Sequence, residues 1–149
     1  MLSRSVHCIL VNPTGLALRL KNIHLEHGQW SAGAGGERKP PALIRPKDRG
    51  EWASETAGFM TGTEGWALYE ADDGTMFDVG WDNPFIGDNT YYQVHRPGKG
   101  RDAKPKGDNE DDAEVTYTFE VARPRIVFTR PIALPPEPPP PPDPEDPQE

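Results

Sequence analysis

Few residues of this chain have the types and spacing that catalysis or metal binding requires. The nearest approach to a metal-ligand run is Ile23-His24-Leu25-Glu26-His27. On a strand, His24 and Glu26 would share a face and His27 would not. No third ligand follows at a useful spacing, HExxH is absent, and there is no second cysteine to complete a zinc site. No metal is expected. Glu64 and Asp78 could form a carboxylate pair for glycoside hydrolysis, but nothing in the sequence fixes their separation. Asp72 and Asp73 read as turn residues, and Glu55 and Glu64 read as caps for backbone N–H groups. Cys8 stands in an apolar run with Val6 and Leu10, so it reads as a buried small hydrophobe rather than a reactive thiol. The chain is therefore expected to have no catalytic residues, no enzymatic activity and no cofactor.

Recognition by aromatic contact is better represented. Glycine falls at 58, 62, 65, 74, 80 and 87, and Phe59, Trp66, Phe77, Trp81, Phe85 and Tyr91 stand between these glycines. Aromatics set among tight turns can hold a fold, face a membrane or partner, or do both. Trp81-Asp82-Asn83-Pro84 has a structural reading: Asp82 or Asn83 bonds its own backbone, Pro84 presets φ, and Trp81 packs into the core. In its functional reading, Trp81 and Phe85 stand at a rim and enter a lipid headgroup layer. Four tryptophans (Trp30, Trp52, Trp66 and Trp81) exceed the one or two anchors a small sandwich needs. Trp30 and Trp81 are taken as the ones that reach the surface. Tyr91-Tyr92 sends one ring to each face of its strand. The candidate membrane- or partner-binding residues are Trp30, Trp81, Phe85, Tyr91 and Tyr92.

The elements that must position these side chains are short strands. Leu16, Leu18 and Leu20 alternate with Ala17 and Arg19, and Ile23 and Leu25 resume that period. Val115, Tyr117, Phe119 and Val121 alternate with Thr116, Thr118 and Glu120, the cleanest strand pattern in the chain. Further strands are predicted over 5–11, 51–55, 66–71, 76–81 and 90–95. Asn12-Pro13-Thr14-Gly15, Asp72-Asp73-Gly74-Thr75 and Asp82-Asn83-Pro84 supply the turns. Residues 31–50 and 96–112 read as long loops. Arg123–Arg130 reads as a last edge strand, barred from a sheet centre by Pro124 and Pro131. The predicted fold is all-β: a single antiparallel β-sandwich of short strands with a proline-rich, extended C-terminal tail.

Composition agrees with a body, residues 1–131, and a tail, residues 132–149. The 149-residue chain is 34% hydrophobic, with a mean hydropathy of −0.75. From Ile132 to Glu149, 9 of 18 residues are proline, five are acidic and none is basic. Such a segment cannot bury enough apolar surface to offset its ordering entropy and favours polyproline II. It reads as a solubilising appendage or as an arm that docks on an aromatic groove. The net charge of −8 leaves about −3 for the body once the tail's −5 is removed. That balance argues against nucleic acid, which needs a basic stripe, but not against neutral lipid headgroups. The single cysteine fits a reducing compartment. The N-terminal apolar run is a poor signal peptide, so synthesis in a bacterial cytoplasm without a signal peptide is expected, followed by release.

Beyond these patterns, the octet Gly58-Phe59-Met60-Thr61-Gly62-Thr63-Glu64-Gly65, followed by Trp81-Asp82-Asn83-Pro84-Phe85 and then Gly87, Asn89 and Tyr91, resembles the aegerolysin family. Val6-His7, Asn12-x-Thr14-Gly15, Leu18-x-Leu20, Gly28-x-Trp30, Glu55-x-x-Gly58 and Val115-Thr116-Tyr117-Thr118 match in the same order. The resemblance spans roughly residues 4–121 and lies nearest to the small component of binary insecticidal crystal toxins. It implies a small antiparallel β-sandwich without enzymatic activity. It also implies binding to lipids or gut-cell surfaces, and pore formation with a larger perforin-like or crystal-toxin-like partner. The charged 96–112 loop, the long 31–50 loop and the proline-rich tail depart from the family pattern.

The resulting expectation is the small component of a two-component insecticidal toxin. It would bind a gut epithelial membrane through a lipid or receptor, act with a larger partner or with further copies of itself, and permeabilise the membrane. The competing expectation is a stand-alone lipid- or carbohydrate-binding module without lytic activity.

Overall fold

A computed structural model describes residues 3–98, 103–122 and 136–141. Its strands, in chain order, are β1 (Ser5–Asn12), β2 (Leu18–His27), β3 (Gln29–Trp30), β4 (Ala32–Gly33), β5 (Gly36–Glu37) and β6 (Leu43–Ile44). They continue as β7 (Asp48–Glu55), β8 (Thr63–Ala71), β9 (Met76–Asn83), β10 (Thr90–Arg96), β11 (Lys106–Gly107) and β12 (Asp112–Thr118). Two five-stranded sheets form, in the orders β11-β12-β1-β7-β3 and β10-β9-β8-β2-β6, with β4-β5 as a separate small hairpin. The all-β sandwich predicted from the alternation is the fold observed.

Alternation also decides what is buried. Along β8 the pattern of burial is strictly period two, with Thr63, Gly65, Ala67, Tyr69 and Ala71 inside. β9 likewise sends Phe77, Val79 and Trp81 inward, and β12 sends Ala113, Val115 and Tyr117. Trp52 of β7 lies at the centre, stacked on Tyr117 at 6.2 Å and tilted against Trp81 at 5.8 Å. Two buried hydroxyls find backbone partners: the Tyr117 hydroxyl donates to the Gly80 carbonyl (2.6 Å), and the Tyr69 hydroxyl to that of Pro41 (2.7 Å). Cys8 is buried, and burial pushes its thiol well above the usual range, as its apolar setting predicts.

Two of the three predicted turns behave as their residues dictate, whereas Asp82 and Asn83 belong to β9 and the Asn83 side chain reaches the Ser5 and Asp111 carbonyls rather than its own backbone. Asn12 Oδ1 accepts the backbone N–H of Thr14 (3.1 Å), an Asx turn. Asp73 Oδ1 accepts that of Thr75 (2.9 Å), which closes the β8–β9 hairpin.

Several expectations need correction. β1 and β12 pair parallel, Ser5 with Asp112 through Val11 with Thr118, inside an otherwise antiparallel sheet. The whole body of the chain connects these two strands, so the long crossover that a parallel pair requires is available. The 31–50 stretch is not a continuous loop: it holds β4, β5 and β6, and β7 begins at Asp48. Within 96–112, Lys106 and Gly107 pair with Thr116 and Val115. The expected strand at 123–130 and most of the proline-rich tail lie outside the described residues.

Candidate functional site

One end of the sandwich gathers loops from both sheets. β8 begins opposite the end of β9, with Thr63 paired to Asn83. The β7–β8 loop (residues 56–62) and the β9–β10 loop (84–89) therefore emerge side by side. They touch at Gly62: a methyl group there would lie 2.7 Å from Pro84 Cα and 2.9 Å from the Phe85 nitrogen, so only glycine lets the two loops approach this closely.

These loops carry large apolar side chains into solvent. Phe59 is 77% exposed, Met60 57% and Ile86 83%. From Ala57 to Gly62 and from Pro84 to Gly87 there is no charged residue. Met60 also sits at φ 58°, a left-handed conformation that a methionine adopts only against a steric cost.

Polar side chains tie the loop bases together. Asn83 Nδ2 donates to the carbonyls of Ser5 (3.1 Å) and Asp111 (2.8 Å). Asn89 Nδ2 donates to Glu110 (2.9 Å), while its backbone N–H is taken by Asn109 Oδ1 (2.8 Å). Arg4 forms an ion pair with Asp111, and its Nη2 donates to the Phe85 carbonyl (3.2 Å).

Just inside the loops, the outer face of the second sheet forms a groove of about 480 Å³, lined by Trp66, Tyr91, Tyr92, Glu26, Glu64 and Asp82 among others. Glu64 and Asp82 face each other across β8 and β9. Like charges so placed repel. Burial pushes the Glu64 carboxyl up, Asp82 adds to the rise, and His27 works against it. Burial likewise raises Asp82, again opposed by His27. Among the described residues, neither carboxylate makes an ion pair or hydrogen bond. On the same face, the Tyr92 hydroxyl donates to Asp78 (3.3 Å), and burial followed by the nearby Asp78 charge pushes Tyr92 up to about 12. The Tyr92 ring lies against Gly80, where a side chain would displace it.

The structure separates the residues predicted from sequence. Trp81 is 2% exposed, and its indole N–H donates to Ser54 Oγ (2.9 Å), so it does not stand at a rim. Its parity with Phe77 and Val79 turns it inward, and its N–H opens a buried chain of hydrogen bonds. Ser54 bonds Thr63 Oγ1 (2.7 Å), which donates to the His27 carbonyl (3.3 Å). Trp30 is half-buried and packs on Trp81 at 6.1 Å. Phe85 is half-buried beside the exposed Ile86. Tyr91 is half-buried, with its hydroxyl on the Asp108 carbonyl (2.7 Å), and Tyr92 is the exposed member of the pair at 42%. Of these, Tyr92 stands on the groove face; Tyr91 and Trp81, opposite each other on the inward-facing parity, only border the groove, and Phe85 belongs to the loops.

Other expectations about chemistry also resolve. Glu64 pairs with Asp82 rather than Asp78, which stands two same-face steps away, about 13 Å along the strand. That exceeds the spacing of a glycosidase carboxylate pair. Glu55 and Glu64 cap no backbone N–H among the described residues. His24 and Glu26 do approach (3.1 Å), but no group of three potential ligands among the described residues could hold a metal.

The candidate binding residues included neither Phe59, Met60 and Ile86 as surface groups nor Trp66 as a groove wall, although Phe59 and Trp66 stood among the turn-borne aromatics. The signals were present: an uncharged loop tip in the first case, and in the second a parity opposite to Gly65, Ala67 and Tyr69. Arg4 gave no local signal, and Asn83 read as a local turn residue, because the partners of both are distant in sequence.

No family model matches the sequence, and no curated protein matches it. Solved structures do. The lipid binding protein Nakanori matches with a TM-score of 0.65 at 18% identity, over 77% of this chain and 70% of that one. RahU protein matches with a TM-score of 0.59 at 16% identity, over 80% and 98%. IP-1A from Alcaligenes faecalis matches with a TM-score of 0.54 at 15% identity, over 79% and 92%. At these identities the likeness is one of fold, and it is consistent with the aegerolysin fold that the motifs resemble.

Proposed function

We propose that this chain is an aegerolysin-like membrane-binding protein, the small component of a two-component insecticidal pore-forming toxin. The observation that carries the membrane reading is the pair of uncharged stretches, 57–62 and 84–87, holding Phe59, Met60 and Ile86 in solvent at one end of a rigid sandwich. Exposed apolar groups clustered in this way are costly in water and are satisfied at a bilayer interface. The groove beside them suits the cationic part of a headgroup: aromatic faces attract an organic cation, and the facing carboxylates of Glu64 and Asp82, which make no ion pair or hydrogen bond among the described residues and have only His27 acting against them, supply negative charge. That a lipid binding protein shares the fold supports the same reading.

Binding alone does not open a membrane. No helix among the described residues is long and apolar enough to cross one. In this proposal permeabilisation comes from a larger perforin-like or crystal-toxin-like partner, or from assembly with further copies, which supplies the barrel. The protein is released from its producing cell and acts at a gut epithelial membrane.

The aromatic, carboxylate-lined groove also favours a second reading, a stand-alone lipid- or carbohydrate-binding module. Dye-loaded vesicles made with insect gut lipids separate the two. The toxin reading expects attachment by the chain alone and dye release when a large perforin-like or crystal-toxin-like protein is added. Attachment without release under every pairing overturns the toxin reading in favour of the module.

A further inference from the structure

Arg4 lies in neither apolar loop, yet it holds both. Its side chain is 17% exposed and leaves Nε buried without a partner, an arrangement that local stability alone does not favour. From this position Nη2 reaches the Phe85 carbonyl (3.2 Å) at the base of one loop. Its backbone engages the other: the Arg4 N–H donates to Thr56 Oγ1 (3.0 Å), and the Thr56 N–H donates to the Arg4 carbonyl (2.9 Å). Thr56 Oγ1 also stands 3.1 Å from the Thr61 carbonyl, across the mouth of the loop that presents Phe59 and Met60. The ion pair with Asp111 anchors the guanidinium to the segment that Asn83 and Asn89 also hold.

We propose that Arg4 is a positioning residue: it clasps the two apolar loops so that Phe59, Met60 and Ile86 engage a bilayer as one rigid prong. The proposal rests on the membrane reading and adds how the membrane-facing end is built. A guanidinium suits the task because its planar fork serves the Phe85 carbonyl and the Asp111 carboxylate at once, in fixed geometry. Preorganisation of this kind removes the ordering cost each loop would otherwise meet on binding.

The test uses the full chain with an environment-sensitive fluorophore on a cysteine introduced beside the prong residues, as Gly58→Cys or, separately, Asp88→Cys, so that Phe59, Met60 and Ile86 are kept; native Cys8 is buried and stays unlabelled. Each is titrated with vesicles of insect gut lipids, with native Arg4 or with Arg4→Met. With Arg4, both probes are expected to shift to the blue at the same lipid concentration. With Arg4→Met, the two midpoints are expected to separate and affinity to fall roughly tenfold, while near- and far-ultraviolet dichroism stay unchanged. Should Arg4→Met unfold, Thr56→Val cuts the same clasp from the other side at nearly constant volume and is expected to separate the midpoints too. Midpoints that stay together at native affinity in the folded variant overturn the positioning role and leave membrane binding standing. If neither probe shifts with Arg4 in place, the membrane reading fails and this inference fails with it.

Discussion

Replacing Phe59 and Ile86 together by serine removes most of the apolar surface that the two loops offer. The size of the effect follows from exposure. Fully burying a large apolar side chain contributes about 1.5–3 kcal/mol. Phe59 and Ile86 are 77% and 83% exposed, so each has most of that contribution still to gain at a bilayer. Scaled by those fractions, the pair is worth about 2.5–5 kcal/mol of partitioning, or roughly 10²-fold in affinity at the lower bound. The folded state loses almost nothing, because neither side chain packs in the core. The melting temperature of Phe59→Ser/Ile86→Ser should therefore stay within about 2 °C of the native chain. Vesicle co-sedimentation over a range of lipid concentrations measures the first quantity, and thermal dichroism the second. A variant that keeps its melting temperature and still partitions within about threefold of the native protein would refute the reasoning, and the prong with it.

Two further predictions concern the interior and the groove. Trp81→Ala should unfold or severely destabilise the protein, by about 3–5 kcal/mol for the cavity alone, whereas Trp81→Phe should cost about 1–2 kcal/mol for the lost bond to Ser54; denaturant titration checks both, and a near-neutral Trp81→Ala would contradict its burial. Glu64→Gln should stabilise the fold near neutral pH, because the carboxyl it replaces is raised in the folded state. A raised acid is most favourable to folding below its unfolded pKa, and that contribution is lost as pH rises through the folded value. The variant's advantage should therefore shrink as pH falls through the carboxylate range in thermal melts, and an advantage that grows on acidification would contradict the assignment.

Local pattern accounts for what could be read in advance. The period-two alternation of β8, β9 and β12 is a local property of the chain, so both the sandwich and the identity of its inner faces were legible. Trp81 shows where that reading stopped short. Its parity with Phe77 and Val79 points inward, but the adjacent turn made a rim position plausible, and only the bond to Ser54 on the opposite sheet decides the matter. The parallel pairing of β1 with β12 was not legible, because the partners of Ser5–Val11 lie at the far end of the body. The polar clasp was hidden for the same reason: Arg4 meets Phe85 and Asn83 meets Ser5 only once both sheets are assembled. The groove arises from register. Nothing in the sequence sets Glu64 opposite Asp82 rather than Asp78 until the hairpin closes at Asp72–Thr75.

The most direct measurement of membrane recognition is flotation of the unmodified chain with vesicles made from gut lipids of an insect larva. The protein is expected to rise with the vesicles, saturably and in proportion to lipid. Protein that stays at the bottom of the gradient at every lipid concentration, while folded by dichroism, would contradict the account.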